Sequence, residues 1–135
     1  MTRSAASDEA ASAARPRGGF RLPRAARLRT TRDIRRTMRE GGRSRGRLVD
    51  VFFASSPAGR PRIGIVTPRH GRTAVARNRV RRRLFEIARI QFLPALEARR
   101  LDLDVILRAK PAAYEASYRK LQAVLRDATE IVCAR

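Results

Sequence analysis

The stretch from Val75 to Phe92 leaves the chain little freedom. Val80, Leu84, Ile87 and Ala88 share one face at about 100° per residue, while Asn78, Arg79, Arg82, Arg83 and Arg89 spread over the opposite side. This pattern predicts a helix over these residues, ended by Pro94, whose ring and missing N–H oppose an interior helical position. The helix is electrostatically frustrated. Arg77, Arg79, Arg81, Arg82 and Arg83 fall within two turns, like charges at i and i+4 repel by roughly a few tenths of a kcal/mol per pair, and no carboxylate intervenes before Glu86. The fold must cover one face with a core, and a polyanion outside the chain must neutralise the other.

The rest of the composition agrees. The formal net charge is +20 over 135 residues and the sequence pI is near 11.9, well above the value of about 9 that marks basic nucleic-acid-binding domains. Among the 32 basic side chains only Lys110 and Lys120 are lysine; the others carry the planar guanidinium that suits phosphate oxygens and base edges. A single cysteine, Cys133, points to no disulfide framework, and no apolar run approaches the roughly 18 residues a membrane helix requires. The N-terminus lacks the apolar core of a secretion signal, so a cytoplasmic protein without membrane attachment is expected. Residues 1–19 read as a disordered basic tail, 20–130 as one domain with Phe20, Leu22 and Leu28 as its first apolar anchors, and 131–135 as a C-terminal tail.

Within the domain, Thr30 or Thr31 can cap a helix carrying Ile34 and Met38 on one face and stopped by Gly41-Gly42. From Arg47 to Ser55, Val49, Val51 and Phe53 alternate with Leu48, Asp50 and Phe52, the period of a strand. Turn formers follow at Ser56 to Pro61, and Arg62 to Thr67 resumes the alternation, so these two strands are expected to pair antiparallel. Leu103 to Ala109 reads as a third strand. Tyr118, Leu121, Leu125, Ala128 and Val132 stripe a last helix. The fold class is α+β, helices packed on a mostly antiparallel sheet in the order α-β-β-(β)-α-β-α, with room for a short extra strand near His70.

Arg77-Asn78-Arg79-Val80-Arg81-Arg82 resembles the RNR signature helix of the bacterial ribonuclease P protein subunit. Arg62-Ile63-Gly64-Ile65 is similar to that family's preceding strand, Arg27-Leu28 with Asp33 to Gly41 to its first helix, and Arg108-Ala109-Lys110-Pro111 to the segment after its last strand. The resemblance covers about Phe20 to Ala128. It implies a ribosomal-protein-S5-like two-layer sandwich serving a ribonucleoprotein endoribonuclease that removes the 5′ leader of precursor tRNA. In that family the RNA subunit performs the hydrolysis with magnesium, the protein binding no cofactor and needing no obligate protein partner. By position, Arg77, Asn78, Arg79, Arg81, Arg82 and Arg83 are expected to contact the catalytic RNA. Phe52, Arg27, Arg62 and Arg69 are expected to hold the leader. Ile34 and Met38 stand where the family commonly has aromatic residues.

No protein-only enzyme is legible. The single histidine, His70, sits in a loop, Asp102 and Asp104 bracket a strand start, and Cys133 lacks the basic setting of a nucleophile. Alternation places Asp50 on the side of Phe52, where a carboxylate facing RNA needs an arginine or metal partner. The alternative reading is a ribosomal protein or other structured-RNA assembly factor with no role in cleavage. A DNA-binding regulator fits less well, for want of a helix-turn-helix pair.

Overall fold

The computed structural model describes residues 22–134; the tail 1–19 and Phe20 lie outside them. A 3₁₀ turn at Arg24–Ala26 leads into α1 (Thr31–Glu40), β1 (Gly42–Ser44), β2 (Val49–Ser55), β3 (Arg62–Val66) and α2 (Ala74–Ile87). A π-helical segment at Ala88–Phe92 joins α2 to α3 (Leu93–Ala98). Then come β4 (Leu103–Ala109), a 3₁₀ turn at Pro111–Glu115 and α4 (Tyr118–Cys133). Helices α1, α2 and α4 each start on a hydroxyl cap: Thr30, Thr73 and Ser117 accept the backbone N–H of Asp33, Ala76 and Lys120 at 3.1 Å. Helix α4 runs to Cys133 with Val132 buried, past the residue 130 at which the sequence reading closes the domain.

The sheet order is β1-β2-β4-β3. Contrary to the expected hairpin, β2 and β3 do not pair. β4 lies between them, antiparallel to β2 (Phe52 opposite Ile106) and parallel to β3 (Ile63 opposite Val105). Turn formers between two strands fix a reversal of the chain but not its partner, and β4, whose Val105, Ile106 and Leu107 are apolar on both faces, takes the central place. The extra strand is also displaced from its expected position. It is Gly42–Ser44 on the edge beside β2, whereas His70 and Gly71 form a turn with positive φ.

Each face of the sheet has its own core. On one, Val49, Val51, Phe53, Ile63, Ile65, Val105 and Leu107 pack against the apolar stripes of α2 to α4. On the other, Phe52, Leu28 and Ile106 pack under Ile34 and Met38 of α1. The expected two-layer sandwich is thus the larger half of the structure, and α1 covers the back of the sheet. Two glycines permit this closeness: a Cβ at Gly41 would stand 1.9 Å from the Phe53 carbonyl oxygen, and one at Gly64 would stand 2.9 Å from that of Leu28.

Pro94 does not end the helical path. The π-helical segment, with Leu93 N–H bonding the Ala88 carbonyl, widens the turn before it and places Pro94 in the first turn of α3, where a missing donor costs least.

Asp50 finds cations, as its position demanded. Arg43 bonds its Oδ2 at 2.9 Å, the Gly46 N–H its Oδ1 at 3.1 Å, and the Lys110 Nζ lies 3.7 Å away. Burial would raise the pKa of this carboxyl, but these partners outweigh it and hold the value below the ordinary one. A depressed native pKa stabilises the fold above the unfolded value, near 3.9, and that stabilisation disappears as pH falls through the native value. Asp50→Asn is therefore expected to flatten the decline of unfolding free energy below about pH 4; urea titrations at stepped pH would show it, and an unchanged acid limb would discount the pairing.

Candidate nucleic-acid interface

Helix α2 buries Val80, Leu84 and Ile87 and turns its arginines outward, but the structure divides those arginines into two groups. Arg77 Nε donates to the Thr67 carbonyl at 3.2 Å, and Arg81 Nη1 to that of Ile65 at 3.4 Å, so both lie across the open edge of β3. Arg83 turns the other way and donates to the Ala116 carbonyl at 3.1 Å. Asn78, Arg79 and Arg82 form the exposed stripe and make no hydrogen bond or ion pair among the described residues. Glu86, the first acid of the helix, pairs with Arg89 rather than with the stripe. The i,i+4 repulsion is thus relieved at Arg77, Arg81 and Arg83 by backbone carbonyls, and left standing on a surface that a phosphate backbone can match.

The four residues expected to hold a leader are not brought together. Phe52 is 4% exposed beneath α1, with the Arg43 guanidinium 4.9 Å from its ring centroid. It is a core residue of the smaller face and cannot stack on a base without α1 leaving; alternation had placed it on the correct face, but the face is covered. Arg62 is spent within the protein. Its Nε and Nη2 both bond Asp104 at 2.8 Å, Asp33 lies 3.7 Å from Nη1, and the bonds to Asp104 raise its pKa further. Arg69 is exposed in the loop before α2. Arg27, its Nε held by the Leu22 carbonyl at 3.0 Å, borders a groove of about 670 Å³ along the open edge of β3.

That groove runs from the start of α1 to the flank of α2. Leu28, Ile34, Ile65 and Phe85 give it an apolar floor, while Arg27, Arg29, Asn78, Arg81 and Arg82 give it a polar rim without a carboxylate. Phe85 and Arg29 escaped the sequence reading. The available signal was the spacing of Arg81 and Phe85, four residues apart on one helix face, which brings the guanidinium 5.4 Å from the ring centroid.

The other polar groups are engaged elsewhere. Asp104, fully buried, receives Arg36 at 2.6 Å as well as Arg62, so it forms no metal pair with the exposed Asp102. The His70 ring packs edge-on against Tyr114, whose hydroxyl donates to the Pro68 carbonyl. No described helix is long and apolar enough to cross a membrane.

Residues 22–132 match the family model described as Ribonuclease P. The chain is 39% identical over 106 residues to the ribonuclease P protein component of Acidothermus cellulolyticus, covering 76% of this chain and 83% of that protein. It is 41% identical over 111 residues to the ribonuclease P protein component of Micrococcus luteus, covering 75% and 83%. In fold it is similar to the RNase P proteins of Staphylococcus aureus (TM-score 0.70, 22% identity, 81% of this chain and 96% of that one) and Thermotoga maritima (0.64, 22%, 76% and 94%).

Proposed function

Since this chain belongs to the ribonuclease P family, we propose that it grips the catalytic RNA of that particle through Asn78, Arg79 and Arg82. It is a protein component of ribonuclease P and serves the removal of 5′ leaders from precursor tRNA. The observation that carries the RNA contact is the division of α2: three of its polar residues are tied to backbone carbonyls, and the stripe between them is left open. A helix held on both flanks presents that stripe with little to lose on binding. The alternative of a ribosomal protein gives way to a family match that spans the domain.

The hydrolysis belongs to the RNA in this reading, with magnesium held there. Among the described residues the acids do not gather into a cluster for an ion. Asp50 and Asp104 face arginines, and His70 faces a tyrosine. The protein contributes binding energy and charge neutralisation, and the particle works in the cytoplasm beside its precursor tRNA. Purified protein is expected to leave precursor tRNA uncut and to support cleavage once the cognate RNA is added at low magnesium. Cleavage by protein freed of RNA would transfer the chemistry to side chains and sink the reading.

A further inference from the structure

We propose that the groove along the open edge of β3 is a nucleotide site, taking one unpaired nucleotide of a bound RNA with its base against Phe85 and its phosphate on Arg29 and Arg82. The proposal rests on the RNA-subunit reading only for the source of that nucleotide. Four features carry it.

The first is chemistry of the wall. An apolar floor rimmed by guanidiniums, with no acid among the lining residues, repels acidic or zwitterionic occupants and suits a flat ring joined to an anion. The second is size: about 670 Å³ is ample for one nucleotide and too little for a duplex. The third is the half-buried ring of Phe85, fixed on α2 at the groove wall and already in contact with the Arg81 guanidinium. A base can slide onto such a ring, and the guanidinium plane can stack on the base in turn. The fourth is preorganisation. Arg81 is held by the Ile65 carbonyl, whereas Arg29 and Arg82 are exposed and have no partner among the described residues. The arginines nearest the ring are fixed and those at the mouth are free to take a phosphate. An unpaired nucleotide is required because a base inside a helix hides the face that Phe85 would meet.

The chain contains no tryptophan, so Phe85→Trp places a single reporter in the groove wall. Titration of this full-length variant with hexaadenylate at low salt should quench its fluorescence saturably, and inorganic tripolyphosphate, which carries charge but no base, should not. In the same background Arg29→Ala with Arg82→Ala should raise the half-saturating hexaadenylate concentration. Separately, Phe85→Leu, which keeps the apolar packing and loses the ring, should weaken hexaadenylate binding roughly fivefold to a hundredfold. Two results would overturn the proposal: hexaadenylate that binds by anisotropy yet leaves the tryptophan unquenched, or no hexaadenylate binding at low salt. A tryptophan signal that changes with protein concentration in the absence of RNA would also overturn it, by seating a second copy of the chain in the groove.

The source of the nucleotide is read in the assembled particle. Quenching on addition of the catalytic RNA assigns the nucleotide to that RNA; quenching that waits for precursor tRNA, and is absent with mature tRNA, assigns it to the leader. If the chain fails to support cleavage with its cognate RNA while hexaadenylate still quenches the reporter, the ribonuclease P reading falls and the nucleotide site stands.

Discussion

Asp104→Asn should lower the unfolding free energy by about 3 to 5 kcal/mol, the usual cost of removing one partner from a buried ion pair. Asp104 is fully buried on β4, and its carboxylate joins three elements: Arg36 from α1, Arg62 from β3 and its own strand. An amide keeps the volume but not the charge, and leaves the guanidinium of Arg62, 14% exposed, facing α1 without a full counter-charge. The loss should appear in urea titrations as a lower midpoint at unchanged slope. A deficit under about 1 kcal/mol would mean that water reaches the pair and that α1 is held by its apolar contacts alone.

The second large effect concerns the open stripe of α2. Arg79→Ala combined with Arg82→Ala should make log K for the cognate RNA less steep in log[salt] by about 1.4 to 1.8, since each lost phosphate contact removes roughly 0.7 to 0.9 of slope. Affinity at low salt should fall about tenfold or more. Arg83→Ala is the internal comparison. Its guanidinium serves Ala116, so it should leave the slope unchanged while losing the same formal charge as either single variant. Equal slopes for all the variants would place the RNA elsewhere on the protein.

Periodicity made most of the elements visible before any coordinates. Val80, Leu84 and Ile87 marked the buried side of α2, and Leu103 to Ala109 matches β4 at both ends. Pairing was less visible, because apolar alternation specifies which face a strand buries and not which neighbour it meets. The antiparallel expectation for β2 and β3 failed for that reason, as did the termination at Pro94, where one π-helical turn absorbed what a proline would otherwise break. Within the site, the basic stripe was legible and its division was not. Whether an arginine is free depends on carbonyls such as those of Ile65 and Thr67, which are remote in the chain and have no signature of their own. Phe52 shows the same limit: the strand period gave its side of the sheet, but only the packing of Ile34 and Met38 shows that this side is closed.

The central place of β4 also governs how the molecule can be made. On a ribosome, β2 and β3 emerge early, yet neither has its main partner until the chain has been extended through Ala109. Helix α2 is synthesised in this interval, with its stripe of arginines complete and the sheet beneath it still missing a strand. The fold therefore closes late and in one step, when β4 slides between two waiting edges, and long-range pairing of this kind is slow relative to helix formation. A nascent chain of this charge passes that interval beside ribosomal RNA, in possession of a polyanion-seeking helix before it has a core to restrain it.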